Sequence, residues 1–290
     1  MALTEAYNTV KRALSTAPPS DAYLRYDAPG VETILPNEED TARQIGITMT
    51  RMQQHNLDKH RHCFRATHVK TQGIVKGTLT VPSSLPSHLQ QGLFKTPGKT
   101  YPVAARYANE PIFLTPDQDP GPRGLSMRVF DAEGERLEGA SDDAVQDFFF
   151  NNAPSIELTD INTCLDIMQM REKYFDSPVK LAAATRLRTD AVKQTSPFRL
   201  PNTNLVGINY YSQSAFRFGE WYGHLGLFPV GEGTASRNEK VGSGDSQEVL
   251  SDWLKEHFGE KGATYELRVS CQWFQGRGPC CRSDGGSPRY

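Results

Sequence analysis

Residues 65–81 read Arg65-Ala66-Thr67-His68-Val69-Lys70-Thr71-Gln72-Gly73-Ile74-Val75-Lys76-Gly77-Thr78-Leu79-Thr80-Val81. From Ile74 onward the stretch predicts a β-strand. Val75, Leu79 and Val81, with Gly77 among them, fall on one side of an extended chain. Lys76, Thr78 and Thr80 fall on the other. Arg65 and His68 stand at the strand's entrance. The first is a permanent cation; the second exchanges a proton near neutral pH. A histidine beside a strand is ordinarily a structural or surface residue. What sets this one apart is the company it keeps further along the chain.

With 290 residues the chain is long enough for one large domain or two small ones. Its 32 basic and 34 acidic residues are interspersed and leave a net charge of −2. That gives no electrostatic footprint for nucleic acid or an anionic membrane surface. No apolar run approaches the length of a bilayer span. The N-terminus has no basic region followed by an apolar core, and the C-terminus carries no peroxisomal address, so a cytoplasmic protein is expected. The five cysteines argue against a disulfide framework. Cys63 and Cys164 are expected to be reduced and packed. Cys271, Cys280 and Cys281 lack a fourth ligand for a closed zinc site.

Residues 1–36 read as an arm, with a short helix over 4–15 and then prolines that keep the chain extended. Asn37 is placed to cap a helix whose first turn carries Glu38, Glu39 and Asp40. Ile45, Met49 and Met52 recur at i, i+4 and i+7, so one helix face is buried. His55, His60 and His62, among Lys59 and Arg61, read as a solvated basic turn. Residues 82–102 hold Leu85, Leu89, Leu93 and Phe94, a packed excursion. A strand over 101–108 places Ala104, Arg106 and Ala108 on one face. A charge between two alanines fits a bulky group lying over it, or an ordinary surface arginine. A turn at 119–124 feeds a strand over 125–130, and residues 131–135 are expected to close a hairpin. The next strand, Val145-Gln146-Asp147-Phe148-Phe149-Phe150, puts aromatics on both faces. One face must meet the core and the other a second layer or a flat apolar ligand. Helices follow at about Ile161–Met168, capped by Thr159 or Asp160, and from Ser177-Pro178 through Leu187. Strand character returns over 206–218, a helix spans 246–258, and a last strand covers 265–273 with no obvious partner. Residues 275–290 have no period and are expected to be disordered.

Four of these stretches, taken in order, resemble the catalase superfamily, and more closely its small catalase-like haem proteins. Arg65-Ala66-Thr67-His68 with the Gly-punctuated strand resembles the distal-histidine motif. Pro102-Val103-Ala104-Ala105-Arg106-Tyr107 resembles the strand whose arginine reaches a haem propionate. Pro122-Arg123-Gly124-Leu125-Ser126-Met127-Arg128-Val129-Phe130 resembles the Pro-Arg-Gly strand, and Gln146-Asp147-Phe148-Phe149-Phe150 with Pro154 the phenylalanine strand over the haem. The resemblance covers roughly residues 35–270.

It implies an α+β fold: an antiparallel β-barrel of the catalase type with surrounding helices, in a domain over 37–274 that is incomplete at its C-terminus. It implies haem as cofactor, a peroxide as small-molecule substrate, and homo-oligomers in many relatives. His68 would be the catalytic base, taking a proton from a peroxide and returning it to the leaving oxygen. Arg65 and Arg106 would pair with propionates, Phe149 would press on the macrocycle, and Thr67 resembles the allene oxide synthase branch. The family's iron ligand is a tyrosine on an Arg-x-x-x-Tyr helix. No such helix is found here, so the metal ligand is unassigned. Val145 or Gln146 stands near the place of the family's distal asparagine, and Asn151 and Asn152 fall at the far end of the strand. Two functions follow as expectations: a haem-dependent oxidoreductase acting on hydrogen peroxide or an organic peroxide, or a truncated or vestigial relative that binds haem weakly, or another apolar ligand, without turnover.

Overall fold

In the computed structural model, which describes residues 24–134 and 143–271, the opening stretch becomes strand β1, Lys70–Thr80. Val75 and Leu79 pack against the core while Lys76, Thr78 and Thr80 are exposed, as the alternation predicts. β1 pairs antiparallel with β2, Thr100–Asn109, then come β3, Arg123–Phe130, and β4, Val145–Asn151. Residues 82–99 between β1 and β2 pack Leu85, Leu93 and Phe94 onto the core, so this connection is an excursion of the fold. The link from β3 to β4 runs over 131–144, far beyond a tight hairpin; part of it, including Glu135, lies outside the described residues.

The later half of the sheet departs from the sequence reading. The single stretch expected over 206–218 is two short strands, β5, Tyr210–Ser212, and β6, Phe216–Phe218. A ten-residue strand follows that alternation did not reveal: β7, Trp221–Val230, interrupted by Gly223, Gly226 and Pro229. It supplies the partner for the last strand, β8, Thr264–Cys271, along its whole length. The strand order is β1-β2-β3-β4-β5-β7-β6, with β8 also on β7.

The expected closed barrel is therefore open: the sheet curls into a half-barrel, and no described pairing joins β1 to β6 or β8. β4 and β5 share a ladder of only two residue pairs, Phe150 with Ser212 and Asn151 with Tyr211. Side chains close the interior instead. The Tyr107 hydroxyl of β2 lies 3.1 Å from that of Tyr265 on β8. Helix α5, Val249–Glu260, adds Val249, Leu250 and Leu254 to the same core. Leu254 lies against Gly73, where any Cβ would sit 2.6 Å from its Cδ2.

Outside the sheet, α1, Glu38–His60, packs on α2, Ile161–Lys173, through Met52, Met168 and Phe175, with Ile45 and Met49 beside them. Asp160 caps α2 by accepting from the Thr163 N–H at 2.8 Å. Asn37 holds the N-cap position of α1 as expected, its carbonyl accepting from the Thr41 N–H at 2.9 Å, but its side chain makes no cap bond and its amide donates to Thr41 and Asn162 instead. The basic turn expected at the histidines is instead the end of α1. His55 stacks on Phe175, and His60 and His62 flank Phe64. These histidines keep their ring contacts on the surface: His55, Lys59, His60, Arg61 and His62 are all exposed, so the segment is solvated as expected. Two short helices follow, α3, Pro178–Arg186, and α4, Ala191–Thr195. Cys63 and Cys164 are both free, but Cys63 is exposed rather than packed. Of the expected arm, Arg25 bridges Trp221 on β7. The arm helix over 4–15, Trp273, Cys280, Cys281 and the tail over 275–290 lie outside the described residues. Among the described residues no helix is long and apolar enough to cross a membrane.

Candidate functional site

β1 begins irregularly, just after His68. The β1–β2 register slips between Thr71 and Gly73, so Lys70 and Gln72 turn inward before the regular alternation starts. Just upstream, His68 has φ of 52° in the left-handed region. For a residue other than glycine this costs on the order of 1–3 kcal/mol. Its surroundings fix it there. The His68 N–H donates to the Glu110 carbonyl at 2.9 Å. Arg106 donates through Nη2 to the His68 carbonyl at 2.6 Å and through Nε to Thr71 Oγ1 at 3.0 Å.

The imidazole rests on β3. A Cβ on Gly124 would stand 2.3 Å from His68 Cε1 and 2.4 Å from Nδ1. The Pro-Arg-Gly stretch therefore has its glycine where a ring needs the space of a side chain. Leu125, Met127 and Val129 of β3 point into the core, so Gly124 and His68 belong to the outer face.

One rung along that face the strands align Ile74, Arg106, Ser126 and Phe149 as one row, from β1 to β4. Ile74 is 68 % exposed and Phe149 59 % exposed, although their neighbours Phe148 and Phe150 are core residues. Three inter-strand steps of ~4.8 Å make the row roughly 14 Å wide. It is a shallow plate with small side chains at Ala104 and Ser126, apolar side chains at both ends, and the His68 ring beside it.

The electrostatics favour an uncharged imidazole. Burial pushes the His68 ring below its ordinary value, Arg106, Arg171 and Arg65 push the same way, and Glu110 partly offsets them. Glu110 is itself buried. Burial pushes its carboxyl up, but Arg171, the His68 ring and the hydrogen bond from Arg171 together hold it below the usual carboxylate range. Arg171 Nη1 lies 2.6 Å from Glu110 Oε1, while Oε2 is buried without a partner among the described residues. The Arg106 guanidinium is pushed down, first by burial and then by Arg65.

A second buried carboxylate, Asp117, organises the segment between β2 and β3. It is wholly inaccessible. Oδ1 accepts from Lys70 Nζ at 2.9 Å, Gln72 Nε2 at 2.8 Å and Asn109 Nδ2 at 3.2 Å, and Oδ2 accepts from the Leu250 N–H at 2.9 Å. Lys70 also donates to the Gln247 carbonyl at 2.7 Å. This hub ties β1, β2 and the start of α5 together.

The sequence-predicted residues are thus gathered unequally. Arg65 and Arg106 border one cavity of about 580 Å³, with Lys70, Thr71 and Leu114 in its wall. His68 and half-buried Thr67 do not line that cavity, and the His68 ring rests against Gly124. Phe149 stands at the far end of the row, on β4. Asn151 and Asn152 do not take part: their side chains accept from the Ala153 and Arg123 backbone N–H groups at 3.2 and 2.9 Å. Sequence reasoning missed Glu110, Arg171, Lys70 and Asp117. The one available signal was an acid, Glu110, ending a strand between Asn109 and Pro111.

A flat macrocycle with acidic arms fits part of this donor set: the row offers exposed apolar side chains at its two ends, Ile74 and Phe149, and Arg106 within it and Arg65 nearby offer cations. The axial tyrosine of the resemblance is not found among the described residues. Tyr101, Tyr210 and Tyr265 donate to the carbonyls of Leu93, Leu205 and Val206 inside the core, and Tyr107 pairs with Tyr265. No described group of three or more His, Cys, Asp or Glu side chains is arranged to hold a metal ion.

No protein-family model and no curated protein matches the chain. Solved structures do. A fungal catalase is similar over 88 % of this chain and 50 % of its own, with 13 % identity and a TM-score of 0.47. Catalase A from Saccharomyces cerevisiae is similar over 88 % and 52 %, with 12 % identity and a TM-score of 0.48. A bacterial catalase is similar over 89 % and 49 %, with 13 % identity and a TM-score of 0.47. The chain spans about half the length of these proteins.

Proposed function

We propose that this chain is a catalase-like, haem-dependent oxidoreductase module acting on hydrogen peroxide or an organic peroxide. The observation that carries the reading is the conjunction on one sheet face of the His68 ring, seated on Gly124, with the open Ile74-Arg106-Ser126-Phe149 row. A bound haem would supply the redox chemistry. Arg65 and Arg106 would hold its carboxylates, for which guanidinium is suited in charge and geometry. Thr67 and Phe149 would line the macrocycle. His68, kept neutral by its surroundings, would accept a proton from the peroxide and return it to the departing oxygen. The substrate is a small molecule, and self-association is part of the proposal.

A second reading is supported by the core-bound tyrosine hydroxyls and the backbone-bound Asn151 and Asn152. In it, the plate holds an apolar ligand, or haem weakly, without turnover. Absorption spectra before and after adding haemin separate the two. A saturable Soret band together with peroxide turnover that is lost in His68→Ala supports the enzyme. No band in excess haemin, or turnover unchanged in His68→Ala, overturns it.

A further inference from the structure

Helices α2, α3 and α4 border a second cavity, an open cleft of about 560 Å³. This lies within the ~300–1,000 Å³ of small-molecule sites. Its wall is mostly apolar, with Ile167, Met170, Leu181, Ala182, Val192 and Phe198. The helices around it do not collapse onto it. α3, with the apolar sequence Pro-Val-Lys-Leu-Ala-Ala-Ala-Thr-Arg, has no buried residue, and Val192 of α4 remains 76 % exposed. An apolar gap of this kind has little to offer ordered water, which needs two to four polar partners.

The charged groups at the cavity are three arginines and one carboxylate. Arg171 forms part of the floor and is held by Glu110 on its inner side. Arg186 and Arg199 are exposed at the rim, and neither guanidinium has a hydrogen-bond or ion-pair partner among the described residues. The one carboxylate in the lining, Glu157, is pushed up, first by burial and then by Glu110, toward its neutral form. Gln194 is already committed to the Glu157 carbonyl and to Asp190.

We propose that this cleft is a fatty-acid site. The alkyl chain lies between α2 and α3, and the carboxylate is taken by Arg186 and Arg199. Charge complementarity selects an anion over a neutral or cationic amphiphile, since a carboxylate gains charge-assisted bonds from guanidinium. The apolar wall selects a chain over a small inorganic anion. This site is independent of haem, so its occupancy is read without turnover.

The test uses the purified full chain and isothermal titration calorimetry with dodecanoate below its micelle concentration, and dodecyltrimethylammonium as the cationic counterpart. Dodecanoate should bind saturably at one site. Arg186→Glu with Arg199→Glu should weaken it at least tenfold, and Ala182→Trp, on an exposed helix position, should abolish it by filling the cleft. Ile74→Ser with Phe149→Ser should leave it unchanged. Circular dichroism checks each fold, and the cleft-filling and charge-reversing variants test the site separately. Absent binding, equal affinity in all variants, equal binding of the cation, or loss of binding in the sheet-face variant would each overturn the proposal.

Discussion

Two buried carboxylates flank the same segment between β2 and β3, and they are treated differently. Asp117 is fully satisfied: three side chains and one backbone N–H share its two oxygens. Glu110 is bonded through one oxygen to Arg171, while the other is buried without a described partner, in the neighbourhood of His68. A saturated buried charge specifies a structure. An under-satisfied one leaves electrostatic influence to spend on a neighbour, and here the neighbour is the proton-exchanging group of the candidate site. The contrast assigns Asp117 to the architecture and Glu110 to the electrostatics of the site.

The largest expected effect is at the saturated hub. Asp117→Ala removes the buried counter-charge of Lys70, leaving it the more exposed Glu248 and the Gln247 carbonyl, and leaves Gln72, Asn109 and the Leu250 N–H short of a partner. A loss of about 3–5 kcal/mol is expected, read as a lower urea midpoint. A loss under 1 kcal/mol, by the same ~1 kcal/mol scale of single hydrogen bonds, would break the contrast. Glu110→Gln keeps an acceptor for Arg171 and removes the charge, with an expected cost of about 1.5–3 kcal/mol. Its distinctive outcome is at His68, whose imidazole should titrate lower still, because the one group raising it has gone. His68's folded value lies below its ordinary 6.5, so its contribution is complete above 6.5 and is lost as pH falls through the folded value. In the Glu110→Gln variant that loss should extend to lower pH. Imidazole titration by NMR decides it; an unchanged or raised His68 value would make the two carboxylates equivalent.

Smaller effects sharpen the comparison. Gly124→Ala puts a methyl group into the His68 ring, so the ring must move, at about 1–3 kcal/mol. The imidazole resonances should shift with it, while the hub at Asp117 keeps its amide protection in hydrogen exchange. The smallest change in stability is expected for Phe149→Ser on the exposed row, within about 0.5 kcal/mol. Haemin binding should nevertheless weaken, and titration at the Soret wavelength checks it. Full haemin affinity in this variant would remove the row from the site.

The first half of the sheet was legible because each strand is long enough to show its alternation. Val75 and Leu79 against Lys76 and Thr78 is a period of two that nothing interrupts. The second half was not. β5 and β6 are three residues each, too short to carry a period, and β7 is broken by Gly223, Gly226 and Pro229. The open side of the sheet lies between β1 and this later half, where β6 and β8 are the edges. At the site, His68, Arg106 and Phe149 could be picked out because each sits inside a short contiguous pattern. Glu110 and Arg171 stand 61 positions apart, and Lys70 and Asp117 stand 47 apart. A single sequence contains no trace of which acid meets which base across such distances.

The hub at Asp117 also bears on the order in which the chain assembles. Its side-chain partners arrive from 47, 45 and 8 positions away, within the run of hairpins β1 to β3. Its remaining partner, the Leu250 N–H at the start of α5, is 133 positions away. Local pairings form before distant ones because the loops they close are shorter. Asp117 is then a receptor prepared by the early part of the chain for the late part. One oxygen is already occupied, and the other is aimed at the first turn of α5, whose free N–H groups attract negative charge. The last helix to dock is directed to its place by a charge that the first strands have already enclosed.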